Sequence, residues 1–81
     1  MKVKILLFAA AQDIAKKSSI ELDVGPDPTV GELRKLVGEA YPALWALLGS
    51  SRFAIDREFV ADDTIVSSYS EIAMIPPVSG G

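Results

Sequence analysis

A single amphipathic helix in the middle of the chain, with strands before and after it, most strongly constrains the fold. Thr29 and Glu32 have the spacing of a capping box, in which a hydroxyl and a carboxylate satisfy free N–H groups at the start of a helix. Apolar residues then recur about every 3.6 residues from Val30 to Leu44. Because Pro42 interrupts the hydrogen bonds of a helix, we predict an end or a kink near Ala40–Tyr41.

Two strands precede this helix. Residues 2–10 and residues 20–24 alternate between apolar and polar side chains, which is typical of half-buried strands. We predict a turn or a short helical turn at residues 11–18, so that the two strands form a hairpin. The run Gly25-Pro26-Asp27-Pro28 ends the second strand, because glycine and proline interrupt sheet pairing.

Further short elements follow the helix. Pro76 and Pro77 end the last of them, because proline has no N–H for sheet pairing. We predict a second helical segment at residues 43–48, short strands at residues 52–55 and 58–60 around a turn at Asp56-Arg57, an irregular segment at residues 61–70, and a final strand at residues 71–75.

The order of these elements indicates one architecture. The helix must cross over the sheet so that the last strand can lie parallel to the first, and such crossovers are right-handed. We therefore predict an α+β fold of the β-grasp (ubiquitin-like) type, a mixed sheet with one main helix packed on one face. We assign residues 1–75 to this domain and residues 76–81 to an extended C-terminal tail.

The composition excludes most kinds of independent catalysis. The chain of 81 residues contains no cysteine and no histidine, so thiolate nucleophiles, cysteine metal sites and the commonest general base are missing. The remaining candidates are carboxylates and lysines, in a domain too small to enclose a deep pocket. We expect a protein that does not catalyse by itself and holds no metal, and we interpret Asp62-Asp63 as a solvated turn.

Charge and hydropathy exclude two classes of partner. The net charge is −3, and the basic residues are scattered without interleaved aromatic residues, so we do not expect nucleic-acid binding. No apolar run approaches the roughly 20 residues of a membrane span, so we do not expect membrane insertion. A cytoplasmic location is the default expectation.

The sequence ends in a glycine pair, Gly80-Gly81, which has no use in folding alone because glycine loses the most entropy on ordering and adds no side chain to a core. A slim chain end of this kind can enter a narrow tunnel and present its carboxylate there. The tail reaches at most roughly 20 Å beyond the sheet. A frayed terminus is the alternative, but it does not explain two stiff residues, Pro76 and Pro77, followed by Val78-Ser79 and two glycines.

The segment Ile72–Gly81 resembles the C-terminus of the molybdopterin synthase small subunits, the sulfur carriers of molybdenum cofactor biosynthesis. The resemblance extends to Leu7-Phe8-Ala9 and to Pro28-Thr29-Val30 at the start of the helix. The chain departs from the family at Gln12-Asp13, where an Arg-Glu pair is common, and in the loop Ser67–Glu71 before the last strand.

This resemblance implies a role for the chain end. An ATP-using, ubiquitin-activating-like adenylyltransferase would adenylate the Gly81 carboxylate, and sulfur would then convert it to a thiocarboxylate. The tail would enter the large subunit and donate sulfur to cyclic pyranopterin monophosphate, twice per dithiolene, in a complex of two small and two large subunits. The chain itself would bind no cofactor. The residues implied in this role are Gly81 and Gly80 as the reacting end and Pro76, Pro77, Val78 and Ser79 as partner-binding residues.

A second partner-binding surface is predicted on the sheet face that the helix leaves open. Strand alternation places Leu6, Phe8, Ala73 and Ile75 on that face, where they would form an apolar patch for a partner. Alternatively, loops cover the patch or Phe8 packs at an edge of the core. We expect Trp45 to pack near the core edge.

Three other functions remain open. Carriers of thiamine or tRNA thiolation pathways share the fold and the diglycine, a ubiquitin-like modifier would use the same end for conjugation to lysines, and a plain binding module would have an incidental tail. The run Pro76–Ser79 favours the molybdopterin family.

Overall fold

The structure is a computed structural model that describes residues 1–67 and 71–77. A mixed five-stranded sheet with helices on one face confirms the predicted α+β architecture, and its strand order is β2-β1-β5-β3-β4. In chain order the elements are β1 (Lys2–Leu7), α1 (Ala9–Ala15), β2 (Ser19–Asp23), α2 (Val30–Ala40), a 3₁₀ turn (Pro42–Leu44), α3 (Trp45–Leu48), β3 (Arg52–Ile55), β4 (Glu58–Val60) and β5 (Ile72–Ile75).

The last strand lies at the centre of the sheet. β5 runs parallel to β1, with Ile5 opposite Ile72 and Leu7 opposite Met74, and antiparallel to β3 on its other side. β1 also pairs antiparallel with β2, as the predicted hairpin requires. Because parallel neighbours cannot be joined by a tight turn, the chain between them includes α2 as the crossover.

Helix α2 begins and ends where the sequence predicts. The Thr29 hydroxyl accepts the Glu32 N–H at 3.2 Å, and the Glu32 carboxylate accepts the Thr29 N–H at 3.1 Å. The helix ends at Ala40 because Tyr41 leaves the helical conformation before Pro42. Its buried face closes the core over the sheet. Fully buried side chains in this contact include Val30, Leu33 and Val37 of the helix and Phe53 and Met74 of the sheet.

The prediction of a first strand reaching residue 10 is wrong. β1 ends at Leu7, and α1 occupies Ala9–Ala15. Alanine has the highest helix propensity, and Ala11 packs into the core from the helical turn, so a short helix outcompetes further extension. The helix stops at Lys16, which adopts a left-handed conformation with φ 57° and donates its N–H to the Gln12 carbonyl.

The second half of the sheet is built on a tight hairpin. Asp56 and Arg57 connect β3 and β4, and both have positive φ, 49° and 72°, as a two-residue hairpin turn of the primed type requires. The Asp56 carboxylate also accepts the N–H of Glu71 at 2.9 Å, just before β5 begins. The predicted strands at residues 52–55 and 58–60 are confirmed, and the final strand begins at Ile72, one residue later than predicted.

Arg34 ties the helix side of the core to the start of β3. Its guanidinium donates to the backbone carbonyls of Leu48 and Ser51, the latter at 2.8 Å, and lies 5.0 Å from the centre of the Phe53 ring. It also pairs with the Asp62 carboxylate at 2.9 Å. One cation therefore contacts the end of α3, the residue before β3 and the loop after β4.

Replacing Thr29 by Ala is expected to lower the free energy of unfolding by about 1 kcal/mol, because the N–H of Glu32 loses its capping acceptor. Urea denaturation followed by circular dichroism measures the change. Ser18→Ala in the exposed turn before β2 is the matched control and should change stability by less than about 0.5 kcal/mol. Equal effects of the two substitutions would show that the capping box contributes nothing.

Arg34→Met is expected to destabilise the domain by about 2 kcal/mol or more, because it leaves the carbonyls of Leu48 and Ser51 without their donor. Asp62→Asn removes only the ion pair, whose Asp62 side chain is 58% exposed, and should cost no more than about 0.5 kcal/mol. Thermal and urea unfolding of both variants checks the difference. If Asp62→Asn costs as much as Arg34→Met, the ion pair rather than the carbonyl contacts holds the segment.

Candidate functional site

The predicted tail begins at the end of the central strand. Pro76 is buried directly after β5, and Pro77 is exposed. Leu7 lies opposite Met74 on one side, and Arg52 lies opposite Ile75 on the other. The chain therefore leaves the sheet between the end of β1 and the start of β3. The tail residues Val78, Ser79, Gly80 and Gly81 lie outside the described residues, so the boundary between a domain at 1–75 and a tail at 76–81 stays a prediction.

The open face of the sheet carries a continuous apolar row, which we call the open-face patch. Leu6 lies opposite Ala73, Ala73 opposite Ala54, and Ala54 opposite Phe59, so the row crosses four neighbouring strands. Side chains at directly opposite positions of neighbouring strands contact each other on one face. The patch consists of Leu6, Ala54, Phe59, Ala73 and, one step nearer to the tail, Ile75 and Phe8.

The exposure of each patch residue depends on where it lies in the row. Ala73 is buried between its neighbours, Leu6 and Ile75 are half-buried, and the rings at the two ends, Phe8 and Phe59, are 45% and 52% exposed. The backbone of Phe8 is still extended, so its side chain continues the alternation of β1 onto the open face. Large exposed aromatic side chains around a covered centre are typical of a surface that another protein covers.

Three members of this surface were not predicted from the sequence. Ala54 and Phe59 belong to it because the two-residue turn at Asp56-Arg57 fixes the register of β3 against β4. Arg52 lies on the same face, two residues before Ala54, with its guanidinium 3.7 Å from the centre of the Phe59 ring. The turn residues were recognised in the sequence, and counting outward from them would have placed Phe59 opposite Ala54.

A shallow depression of about 230 Å³ lies next to the patch. Lys4, Leu6, Glu71 and Ile72 line it. Lys4 and Glu71 bring opposite charges to the rim, and Leu6 is shared with the patch. The volume suits one side chain of a partner and is too small for an enclosed active site.

Charged side chains on β1 and β2 lie at facing positions beside the patch. Lys2 lies opposite Asp23, and Lys4 lies opposite Glu21. Opposite charges at facing positions stabilise a strand pair and leave little net charge at this side of the face.

The remaining candidate residues, Trp45 and Asp62, contact other residues of the domain. The Trp45 ring covers Gly38 of α2 so closely that a Cβ at Gly38 would come within 2.6 Å of it, and the residue is 51% exposed. Trp45 thus packs at the edge of the helix layer, as expected. Asp62 pairs with Arg34, and residues 1–67 and 71–77 contain no cluster of three or more potential metal ligands.

Within the described part of the chain, every helix is too short or too polar to cross a bilayer.

Comparison with known proteins places this geometry in a family. The ThiS family model matches residues 5–81. The molybdopterin synthase sulfur carrier subunit of Dictyostelium discoideum is 37% identical over 81 residues, which cover 96% of this chain and 94% of that protein.

Two solved structures confirm the β-grasp fold. SAMP1 from Haloferax volcanii, a small archaeal modifier protein, matches with a TM-score of 0.87 and 27% identity, and all of both chains is covered. A chain from the complex of subunits 1 and 2 of the molybdopterin-converting factor of Helicobacter pylori matches over the full length of both chains with a TM-score of 0.71 and 23% identity.

Proposed function

The chain belongs to the ThiS family, and we propose that it is the sulfur carrier subunit of a molybdopterin synthase. The observation that carries the proposal is the diglycine end of the sequence, which follows the central strand β5 after residues 76–79. Ile75, the last residue of that strand, belongs to the open-face patch. The molybdopterin synthase sulfur carrier of Dictyostelium discoideum, which matches almost the whole chain, supports the choice of pathway.

Loading of the carrier takes place at Gly81. A free carboxylate is a poor acyl group because it would have to expel oxide. In the first step a Gly81 carboxylate oxygen attacks the α-phosphorus of ATP on the activating enzyme, and pyrophosphate leaves. In the second step a sulfur nucleophile at the oxidation level of hydrosulfide attacks the acyl carbon, the bond to AMP breaks, and the thiocarboxylate remains. Without side chains, Gly80 and Gly81 leave that carbon open from both faces.

Unloading of the carrier takes place inside the large subunit. The thiocarboxylate sulfur bonds to a carbon of cyclic pyranopterin monophosphate as the bond from that carbon to an oxygen substituent breaks, and the oxygen leaves with the electron pair. Water then cleaves the acyl–sulfur bond, which restores the Gly81 carboxylate and leaves the sulfur on the precursor. Two such transfers supply the two sulfur atoms of the dithiolene. The extended base formed by Pro76 and Pro77 lowers the entropy lost when Val78 and Ser79 enter the partner.

The open-face patch is the proposed docking surface for the large subunit. Leu6, Phe8, Ala73 and Ile75 lie next to the tail base, so one partner can cover the patch and receive the tail in the same complex. The Helicobacter pylori structure, a complex of the two subunits of a molybdopterin-converting factor, supports a large-subunit partner. We propose two small and two large subunits per complex, with the reaction in the cytoplasm, a separate ubiquitin-activating-like adenylyltransferase for loading, and no cofactor bound to the carrier.

A ubiquitin-like modifier is the second candidate function. The similarity to the small archaeal modifier protein of Haloferax volcanii favours it, since the fold and the length agree over both chains. A modifier would use the same activated Gly81 but form an amide with a lysine of a target protein.

Intact mass spectrometry separates these functions. The chain is incubated with ATP, a sulfur donor and the activating enzyme of the same organism, with and without the large subunit. A mass increase equal to the exchange of one oxygen for sulfur supports the carrier, and loss of that increase when the large subunit and precursor are added supports molybdopterin synthesis. Amide-linked products on other proteins support the modifier, and an unchanged mass contradicts both.

Deletion of Gly81 is expected to abolish sulfur loading while leaving thermal stability within about 0.5 kcal/mol, because a chain-end glycine contributes no packing. Loading is measured by intact mass, and folding by circular dichroism. Ser79→Ala is the control, since it keeps the chain length and the diglycine. Sulfur loading of the truncated chain at the normal rate would contradict the proposal.

Phe8→Asp is expected to weaken assembly with the large subunit by about 100-fold or more, because a carboxylate at the end of the apolar patch loses its water on docking and has no partner there. Ile75→Asp should act in the same direction. Affinity is measured by titration calorimetry.

Ile65→Asp is the matched control for these two substitutions. Ile65 is 63% exposed but bridges to Thr29 at the start of α2, away from the open face. All three variants must unfold at similar temperatures for the comparison to hold. If Ile65→Asp disrupts assembly while Phe8→Asp does not, the docking surface lies on the helix side.

A further inference from the structure

We infer that Arg52, stacked on Phe59, binds a carboxylate that the large subunit presents to the open face. This inference rests on the proposed function, because it names the chemistry of the partner at the surface proposed for docking. It concerns a charged group at the edge of an otherwise apolar patch.

Arg52 is placed on the docking surface by its strand. It lies opposite Ile75, the last residue before the tail base, and two residues before Ala54 on the same face of β3. The two neighbours of Arg52 on that face, Ala54 and Ile75, are apolar members of the patch. A partner that covers Ala54 and Ile75 must therefore also cover the guanidinium.

The guanidinium of Arg52 is oriented but not neutralised. The Phe59 ring centre lies 3.7 Å from it, which is within the range of a stacked cation–π contact. Among residues 1–67 and 71–77 the ion pair within 4 Å is that of Arg34 with Asp62, so Arg52 has no carboxylate there. Stacking on the ring restricts the rotamers of Arg52 and leaves the N–H groups at its edge directed away from the ring, available for a forked contact with a carboxylate.

The other basic residues of the open face differ from Arg52 in the charge of the residue opposite them, although among residues 1–67 and 71–77 they make no ion pair within 4 Å either. Lys2 and Lys4 lie opposite Asp23 and Glu21 in the β1–β2 pair, so each has a carboxylate on the neighbouring strand. Arg52 instead lies in an apolar environment, where an unpaired charge becomes costly once a partner excludes water. A docked partner must supply the missing negative charge, and a protein carboxylate is the group that fits a planar fork next to apolar contacts.

The test measures binding of the full-length chain to the large subunit from the same organism by titration calorimetry, at about 0.05 M and about 0.5 M salt. Arg52→Gln is expected to raise the Kd about 10- to 100-fold at low salt and to flatten its salt dependence. Arg57→Gln is the matched control, because it removes the same charge from the exposed turn between β3 and β4, and it should bind like the unmodified chain.

The contribution of the ring is tested by a double-mutant cycle. Phe59→Leu keeps an apolar side chain in the patch but removes the stacking surface. Its effect and that of Arg52→Gln should be non-additive, since both disrupt the same carboxylate contact. Circular dichroism confirms that the variants fold.

The outcomes are distinct. If the unmodified chain does not bind the large subunit, the proposed function and this inference both fail. If it binds, and Arg52→Gln matches Arg57→Gln in affinity and salt dependence, the inference alone is overturned. Additive effects of Arg52→Gln and Phe59→Leu would overturn the role of the ring.

Discussion

The parallel pairing of β1 with β5 is the constraint on which the rest of the structure depends. Ile5, Leu6 and Leu7 can lie beside Ile72, Ala73 and Met74 in the same direction only if the intervening chain crosses over the sheet. Helix α2 is part of that crossover. Burial of its apolar face against one side of the sheet stabilises the packing of the helix on the sheet. The last strand thus becomes the central strand. As a consequence, the residues after it continue from a strand that is paired on both sides.

The same topology explains the opposite characters of the two sheet faces. On the helix side, Phe53 and Met74 are fully buried, and Arg34 fixes the backbone at the start of β3. On the open side, small residues at Ala54 and Ala73 keep the centre flat, and larger rings stand at the two ends. A flat apolar centre with aromatic edges allows close approach of a second protein, and it leaves the tail base at one border of the contact.

Much of this architecture follows from local sequence signals. Thr29, Glu32 and Pro42 set the bounds of α2, and the Asp56-Arg57 turn sets the bounds of β3 and β4, because capping and turn geometry depend on few residues close in the chain. A short helical turn is predicted from residue 11, but α1 begins at Ala9. The strand is predicted too long because an apolar run continues from β1 into three alanines, and alternation alone does not show where extension stops. The open-face patch was predicted only in part. Leu6 and Ala73 follow from alternation, and the Asp56-Arg57 turn places Phe59 opposite Ala54. The alignment of β3 with β5, which brings Arg52 and Ala54 beside Ile75 and Ala73, is a non-local property that alternation does not give.

The placement of Trp45 has a practical consequence. It is the sole tryptophan of the chain, and its indole lies against Gly38 on the helix layer, on the far side of the sheet from Phe59 and Phe8. The domain therefore carries an intrinsic fluorophore that senses the helix layer and is shielded by the whole sheet from events at the opposite surface. Its emission can serve as an internal reference for native packing while another signal follows assembly, with no label added to either protein.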